Sequence, residues 1–314
     1  MVTYIAMRLA SLIPTLIGVV TVIFLLMRLI PGDPAEFILG DYATEQSLAR
    51  LRSQMGLDLP IIQQYGIFMY KAVQGDLGRS LVSKQPAMQE VLRVFPHSLV
   101  LSFSGVLIAA VLGIPLGILS AIRQNTYTDY GAMTFALFGI SMPTFWLGIV
   151  AILLFSFYLP IFPAIGVGDT SRISNLLYHL VLPAGTLGLA ATAQVARLTR
   201  SSMLEVVRQD YIRTAQAKGV REIRIIAIHA FRNAMIPVLA MIGLLFGWAL
   251  GSSIIIETVF SRPGLGLVLI KAIGTRDYPV VQAGVAVLSM TFVMINFTID
   301  LLFAMIDPRI RYSS

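Results

Sequence analysis

Six long apolar stretches alternate with polar segments along this chain, and their lengths predict membrane-spanning helices. A helix needs about 20 residues to cross the hydrocarbon core of a bilayer, and every one of these stretches is long enough. The predicted spans are Leu9–Ile30, Leu99–Ile122, Gly131–Tyr158, Leu176–Ala196, Met235–Ile256 and Val280–Met305. We expect Pro143, Pro183 and Pro237 to kink the helices that contain them.

The longest polar segment follows the first span, from Pro31 to His97. It carries six basic and seven acidic residues, so its charges nearly balance. Apolar residues recur at helical spacing over Leu48–Met55 and Ile61–Val73, and Gly75–Gly78 has the composition of a turn. These patterns predict a small folded insert that lies on one face of the membrane.

A second polar segment, Arg200–Gly219, is charged and prone to form a helix. As one continuous helix it would place Leu204, Val207, Tyr211 and Ala215 on a single face. Gly219 is a typical C-terminal stop. A second amphipathic stretch would group Ile223, Ile226, Ala227 and Ala230. Two such helices between spans indicate a docking surface, although the residues alone are equally consistent with an ordinary basic loop.

Composition supports the assignment to the membrane. Hydrophobic residues make up 57% of the 314 residues and charged residues only 12%, whereas soluble domains carry about 25% charged residues. The absence of cysteine excludes disulfides, thiolate metal sites and a cysteine nucleophile. The net charge of +7 is compatible with nucleic-acid binding, but the positions of the charges favour an explanation by membrane orientation.

The distribution of basic residues predicts which side of the membrane each segment occupies. If the N-terminus is cytoplasmic, the cytoplasmic segments hold twelve basic and five acidic residues, and the external segments hold ten of each. Cytoplasmic loops carry an excess of Lys and Arg. We therefore expect both termini and the 200–232 segment to be cytoplasmic, and the insert after the first span to be external.

Within the predicted spans there are few ionisable side chains. Arg28 and Asp300 lie near span ends, where long side chains can reach the interface. Ion-driven carriers usually place carboxylates or histidines at membrane depth, so this pattern disfavours a secondary carrier.

Glycines at spacings of four residues predict close helix packing. The faces are Gly113 with Gly117 on the second span, and Gly243, Gly247 and Gly251 on the fifth. Small residues at this spacing let helix backbones approach each other. A glycine-lined passage for a ligand is the alternative interpretation.

Motifs that carry covalent or nucleotide chemistry do not occur in the sequence. There is no phosphate-binding Gly-x-x-x-x-Gly-Lys-Ser/Thr loop. His97, His179 and His229 are isolated from one another, which disfavours a zinc site. No histidine lies at the centre of a span beside a serine, as a membrane-embedded serine hydrolase would require. The chain is therefore not expected to be an enzyme or to bind a metal.

Several long motifs in order resemble the permeases of the dipeptide/oligopeptide/nickel class of ABC importers. Three of the motifs lie in the basic region 197–237, namely Arg197–Val206, Asp210–Gly219 and His229–Pro237. The others are Pro31–Pro34, Gly56–Asp58, Gly75–Gly78, Ser141–Trp146, Glu257–Gly266, Asp277–Val281 and Asp307–Arg311. The resemblance covers nearly the whole chain. It is strongest to the first of the two permease subunits, a dipeptide-permease-B-like chain with the larger external insert.

The resemblance implies an all-α polytopic protein with the transmembrane domain of a type I ABC importer and six transmembrane helices. The expected division is 1–30 for the first helix, 31–97 for the external insert, 98–306 for the five-helix permease core with a coupling loop at 200–234, and 307–314 for a cytoplasmic tail. The location implied is the bacterial inner membrane.

The resemblance also implies partners and a site of contact with them. The partners are a second permease that completes a heterodimer, two cytoplasmic ATPase subunits that hold ATP and magnesium, and an external solute-binding protein. Nucleic acid is not among them. The expected coupling residues are Glu205, Asp210, Tyr211, Arg213, Thr214, Ala215, Ala217, Lys218 and Gly219. Where the wider superfamily begins its motif with Glu-Ala-Ala, this chain has Arg213-Thr-Ala215, so no glutamate salt bridge is assigned there.

On the external side, the resemblance implies a gate that faces the binding protein. Its expected residues are Glu257, Phe260, Arg262, Pro263, Gly264 and Gly266. Relatives of this class import di- and oligopeptides, glutathione, nickel chelates or certain sugars. Peptide is the first expectation, the other solutes are alternatives within the same machinery, and a secondary carrier is a distant alternative.

Overall fold

A computed structural model describes residues 2–29, 33–40 and 43–306, and helices dominate it. Among these residues the only β-type pairing is an isolated bridge between Arg79 and Pro86. The N-terminal helices are α1 (Val2–Leu29), α2 (Pro34–Leu39), α3 (Glu45–Gln54), α4 (Ile61–Val73) and α5 (Ala87–Ile122). The others are α6 (Tyr127–Ser141), α7 (Thr144–Ile152), α8 (Ile173–Val207), α9 (Asp210–Ala217), α10 (Glu222–Arg224), α11 (Phe231–Val259), α12 (Leu265–Gly274) and α13 (Tyr278–Ile306).

Four of the described helices are long and apolar enough to cross a membrane, namely α5, α8, α10 continued into α11, and α13. The bent pair formed by α6 and α7 raises the number to five. In α1 the apolar stretch Ala10–Leu26 is shorter than these four. The all-helical membrane architecture predicted from the apolar stretches is therefore confirmed. The motif Asp307–Arg311 lies outside the described residues, as do Pro31 and Gly32 of Pro31–Pro34.

The third predicted span, 131–158, is not one continuous helix. The chain bends by 100° between α6 and the helix that continues from α7 to Tyr158. Met142 and Pro143 have extended backbone conformations at the bend. Proline disfavours helical geometry in the residue before it and donates no backbone hydrogen bond, so Pro143 ends α6 instead of only kinking it.

The described residues divide into two compact units, and the first comprises residues up to Pro96 together with Gly264–Met294. Its core consists of Leu77, Ala87, Val91, Leu265, Leu269, Ala272, Val280, Val281 and Ala283. The insert contributes α3 and α4 to this unit, close to the positions predicted from helical spacing. The ring of Phe24 on α1 contacts Tyr65 edge-on and Phe68 at a tilt, both on α4, with ring centroids 5.4 Å apart in both pairs.

A buried carboxylate fixes part of the insert within the first unit. Asp277, between α12 and α13, accepts a hydrogen bond from the Leu81 amide at 3.0 Å. It also accepts a short hydrogen bond from the Ser80 hydroxyl. Because a buried carboxylate must be satisfied by donors, these bonds tie the 80–82 segment to the end of α12.

The second unit comprises His97–Pro263 and the chain from Ile295 onward, and α8 is its central helix. Small residues line α8, and Ala191, Ala193 and Ala196 are buried. They allow α6, α7 and α11 to pack closely around it. The largest apolar cluster joins α5, α8 and α11, and Phe260 is part of it.

Candidate functional site

The basic segment forms two helices instead of the single helix expected over 200–219. Helix α8 ends at Val207, Gln209 is extended with φ −72° and ψ 149°, and α9 restarts at Asp210. The break changes the helical phase, so Ile212 is fully buried whereas Tyr211 is 42% exposed. Of the predicted common face, Leu204 and Ala215 do pack against one apolar cluster, whereas Val207 and Tyr211 are exposed, so the prediction is wrong for those two residues.

The following stretch also differs from its predicted face. A short α10 continues into a π-helical turn over Ile225–Ala230, which has more than 3.6 residues per turn. Ile225 and Ala230 are buried, whereas Ile223 is 77% exposed. The predicted apolar face with Ile223, Ile226, Ala227 and Ala230 is correct for Ala230 and wrong for Ile223.

An apolar cluster packs α9 and the helical turn that follows α10 against the ends of the spans. Met203, Ile212, Ile225, Ala230 and Ala234 are buried together with Ala121 at the end of α5. The Tyr211 hydroxyl accepts a hydrogen bond of 2.8 Å from the Asn233 amide. We call residues 208–230 the basic loop; its buried apolar residues fix it to the ends of α5, α8 and α11.

A buried ion pair stands at the base of the basic loop. The Arg200 guanidinium donates two hydrogen bonds to Asp129, 2.8 Å from Nε and 2.7 Å from Nη2. Asp129 also accepts from the Asn125 amide at 3.0 Å and from the Ser120 hydroxyl. The Asp129 side chain is 2% exposed and that of Arg200 25%. This bidentate pair connects α8 to the first turn of α6 and was not predicted from the sequence, since its members are 71 positions apart.

Most of the predicted coupling residues are exposed on the basic loop. Ala215 is half-buried against the apolar cluster, and Glu205 is exposed near the end of α8. The exposed members on the basic loop are Asp210, Tyr211, Arg213, Thr214, Ala217, Lys218 and Gly219. The side chains of Asp210 and Arg213 are 100% and 74% exposed, and their ionic contact is long, at 4.0 Å. Helix α9 therefore presents a polar surface.

The turn after α9 encloses a concave surface. Gly219 has φ +75°, a left-handed conformation that glycine adopts without strain. The residues from this turn through α10 to Ile228 border a cavity of about 700 Å³. The lining residues are Lys218, Gly219, Val220, Arg221, Ile223, Arg224, Ala227 and Ile228. The cavity thus combines an apolar floor with three cations and no carboxylate.

The predicted gate segment is mostly buried. Pro263 is exposed, whereas the buried members are Glu257, Phe260, Arg262, Gly264 and Gly266. The Arg262 amide closes a turn by donating to the Glu257 carbonyl at 2.8 Å. No nitrogen of the Arg262 guanidinium has a hydrogen-bond partner among the described residues. Burial lowers the pKa of Arg262, and the nearby charge of Glu257 opposes that shift.

The predicted glycine faces have unequal environments. A Cβ on Gly113 would lie 2.7 Å from Cβ of Val195, and one on Gly117 would lie 2.5 Å from the Ala196 carbonyl oxygen. Gly243 likewise meets the Ile299 side chain. Gly251 has no atom within 4 Å of the corresponding position, and Gly247 is half-buried. Close approach therefore occurs at the α5–α8 crossing and at Gly243, with open space at Gly251.

No group of three or more metal-ligating side chains occurs among the residues that the structure describes. The exposed polar surface of the basic loop is the most distinctive candidate site.

Comparison with known proteins identifies the family. Residues 113–312 match the family model "Binding-protein-dependent transport system inner membrane component", and residues 1–102 match its N-terminal counterpart, "Binding-prot-dependent transport system membrane comp, N-term". The glutathione transport system permease protein GsiC of Escherichia coli K12 is 43% identical over 312 residues, covering 99% of this chain and 100% of GsiC. GsiC of Salmonella typhi has the same identity and coverage.

Solved structures agree at the level of the fold. A chain of the MetNI methionine ABC transporter, crystallised in inward-facing conformations, aligns with a TM-score of 0.57 at 17% identity. The alignment covers 69% of this chain and 95% of that one. The native crystal form of MetNI gives the same TM-score at 18% identity. The chain therefore belongs to the family of binding-protein-dependent transport system inner membrane components and is a multi-pass permease subunit of an ABC importer, not a secondary carrier.

Proposed function

We propose that this chain forms one half of a translocation pathway for short peptides, and that its basic loop couples the pathway to a cytoplasmic ATPase subunit. A second permease would supply the other half, and ATP with magnesium would be held by the partner ATPase subunits. Both termini would be cytoplasmic, as the excess of basic residues on that side favours. The chain itself would carry out no covalent chemistry.

This proposal rests on the contrast between the two sides of the basic loop: its apolar side is buried against the spans, and its outer side is polar and exposed. Ile212 and Ile225 are buried in the apolar cluster, so the loop is fixed to the spans. Its outer surface is polar, and three cations surround a concave apolar floor. A surface of this type suits a partner with an acidic rim and a protruding apolar group, because opposite charges on two partners favour association.

The ion pair below the loop supports transmission of motion. Asp129 and Arg200 join α8 to the first turn of α6 through two charge-assisted hydrogen bonds, which are strong and directional. When ATP binding draws the ATPase subunits together, a loop fixed in this way would move its spans as a rigid group. The cavity between the two permeases would then open outward to receive solute and return inward after hydrolysis.

The substrate proposed first is a short peptide, with glutathione as the specific candidate. The support is the 43% identity to a permease whose name specifies glutathione transport, over essentially the full length of both chains. Glutathione is itself a tripeptide, so it is consistent with peptide as the class expected from the motifs. Nickel chelates remain the second candidate to compare.

Disulfide crosslinking tests the coupling role. The chain has no cysteine, so Thr214→Cys on exposed α9 can be paired with single cysteines on the ATPase subunit. We expect crosslinks whose yield changes with ATP. Gln124→Cys, on the exposed α5–α6 turn, is the matched control and should crosslink weakly. Equal yields at both positions, or none at Thr214, would contradict docking through α9.

A separate measurement tests the substrate. The partner binding protein should be titrated with glutathione, a dipeptide and a nickel chelate, and the assembled importer should then be assayed for uptake of each. We expect glutathione or the dipeptide to bind and to stimulate ATP hydrolysis. Binding of the nickel chelate alone would refute the peptide assignment without affecting the coupling proposal.

A further inference from the structure

The insert that follows α1 contains a loop that is closed by its own hydrogen bonds. Residues 79–86 begin and end at the bridge between Arg79 and Pro86. The Ser80 amide donates to the Gln85 carbonyl at 2.8 Å, and the Ser80 hydroxyl accepts from the amides two and three residues further along. A short loop whose ends meet and whose interior is bonded in this way keeps one backbone conformation.

A buried carboxylate fixes this loop to the rest of its unit. Asp277 is 3% exposed and accepts a hydrogen bond from the Ser80 hydroxyl. It also accepts from the Leu81 amide at 3.0 Å and from the Val82 amide at 3.4 Å. The loop is therefore held from beneath as well as closed at its ends, and we call residues 79–86 the anchored loop.

The anchored loop contains a residue in a strained backbone conformation. Lys84 has φ +61°, in the left-handed region that residues with a Cβ rarely adopt. Its amide donates to the Ser80 carbonyl at 3.1 Å, so the conformation is fixed by the loop around it. Strained backbone that is held in this way is concentrated at functional sites, which makes the exposed side of this loop a candidate for contact.

Two cations are held in place on the anchored loop. Nζ of Lys84 donates to the Leu81 carbonyl at 2.7 Å, and Nη1 of Arg79 donates to the Lys84 carbonyl at 3.4 Å. Both residues are exposed. Their acceptors are neutral, and neither cation forms an ion pair in the part of the chain that the structure describes. The positive charge of both is therefore available to a partner.

A small cavity lies beside the anchored loop within the same unit. Its volume is about 160 Å³, and Val82 and Ser83 line it together with Lys271 of α12, which adds a third exposed cation. Two carboxylates, Glu90 and Asp277, also line the cavity, and both already accept hydrogen bonds from serine hydroxyls of the loop. Val82 is 56% exposed. The surface thus combines free positive charge, one exposed apolar side chain and a recess of fixed shape.

A protein with acidic side chains fits this surface best. Cations that are already fixed lose little conformational freedom on binding, and opposite charges favour association. Anionic lipid headgroups are also attracted to cations, but that attraction depends on charge and not on a backbone of fixed shape. The family to which the chain belongs is binding-protein-dependent, which implies an external binding protein as a partner. The segment 257–266, expected to face that protein, is mostly buried.

We propose that the anchored loop is a contact surface for the external binding protein. Acidic side chains of that protein would pair with Arg79, Lys84 and Lys271, and one of its side chains would enter the cavity beside Val82. This inference rests on the proposed function, because the orientation given there places the insert on the external side. The anchored loop would then make the contact that was expected at the segment 257–266.

Photocrosslinking tests the contact directly. The chain has no cysteine, so Val82→Cys can be labelled with a benzophenone maleimide. The complete importer, in phosphatidylethanolamine/phosphatidylglycerol vesicles, is then irradiated with its purified binding protein. Ile62→Cys, 82% exposed on α4 of the same insert, is the matched control. We expect a product containing the binding protein at Val82, in severalfold higher yield than at Ile62. Products with lipid or the second permease alone, or equal yields at both positions, would overturn the proposal.

Charge reversal tests the role of the cations. In Lys84→Glu, the concentration of binding protein that half-maximally stimulates ATP hydrolysis should rise about tenfold, because like charges then meet across the contact. Lys84→Gln only removes the charge and should give a smaller rise, and Lys84→Arg should stay close to the wild-type value. Arg50→Glu, exposed on α3, is the control and should have no effect. Equal shifts in Lys84→Glu and Lys84→Gln, or none in either, would show that the charge makes no contact.

This inference and the proposed function fail in different ways. If the binding protein does not stimulate ATP hydrolysis by the wild-type importer, the proposed function is overturned and this inference with it. If the wild type is stimulated, but Val82 gives no crosslink to the binding protein and Lys84→Glu leaves the half-maximal concentration unchanged, the anchored loop alone is excluded as the contact surface.

Discussion

The two segments that the motifs single out have opposite environments. In the basic loop, residues 210–219 are polar and mostly exposed, and Ile212 is the buried member. In the segment 257–266, Glu257, Phe260 and Arg262 are almost completely buried. The charge of a side chain therefore does not predict its exposure to solvent here, since Arg262 is buried while Ala217 is exposed. The first segment leaves most of its side chains exposed, whereas the second is part of the packing of the chain.

The two segments differ in burial because they are joined to the preceding helix in different ways. Helix α9 begins after α8 has ended at a break, so only one side of it reaches the apolar cluster. The 257–262 turn instead continues α11 directly, and Phe260 joins the cluster of α5, α8 and α11. The predictions below test this difference, beginning with the largest expected effect.

Phe260→Ala should strongly destabilise the protein. Truncating a buried phenylalanine costs about 3–5 kcal/mol through lost transfer free energy and the cavity left behind. We expect a clear fall in the thermal unfolding midpoint of the purified complex. Tyr211→Ala, in the exposed basic loop, is the control and should cost about 1 kcal/mol for its hydrogen bond to Asn233. Equal losses would remove the distinction between the two segments.

Asp129→Ala should destabilise the base of the basic loop. Removing one partner of a buried ion pair costs about 3–5 kcal/mol because the other charge stays uncompensated. We expect a value near the lower limit, since Arg200 retains 25% exposure. Limited proteolysis should show earlier cleavage in the basic loop. Glu205→Ala, exposed nearby on α8, should leave the cleavage rate unchanged. An unaltered Asp129→Ala protein would show that the pair does not hold the loop.

A matched pair of glycine substitutions tests helix packing. Gly117→Ala places a methyl group 2.5 Å from a backbone carbonyl oxygen of α8, and overpacking of this kind typically costs about 1–3 kcal/mol. Gly251→Ala meets open space and should be neutral or stabilising by up to about 1 kcal/mol, because alanine favours a helix. Thermal unfolding of both variants measures the difference. Stabilisation by Gly117→Ala would contradict the close α5–α8 crossing.

The smallest effect on stability is expected for the cations around the concave surface. Lys218→Ala and Arg221→Ala should each change the free energy of unfolding by less than about 0.5 kcal/mol, as is usual for exposed positions. Substrate-stimulated ATP hydrolysis should nevertheless fall, and its salt dependence should weaken. Arg123→Ala, on the exposed α5–α6 turn, is the control. Unchanged hydrolysis in both loop variants would indicate that these cations do not face the ATPase.

Local irregularities of the helices explain where predictions from periodicity failed. The pattern over 200–219 assumed an unbroken period of 3.6, but the break at Gln209 resets the phase and buries Ile212. The π-helical turn at Ile225–Ala230 alters the period again. Similarly, Pro143 separates α6 from α7 by a bend that hydropathy cannot report.

The sequence by itself determined the class of the protein, because hydrophobic length, glycine spacing and long motifs are local properties that need no partner. Those properties identified a helical permease and located its basic loop. Only the tertiary structure decided which side chains of that loop are available, that Asp129 joins Arg200, that Arg262 is inside, and that α4 lies along α1. Each of these depends on contacts between residues far apart in sequence, and neither composition nor periodicity encodes such pairings.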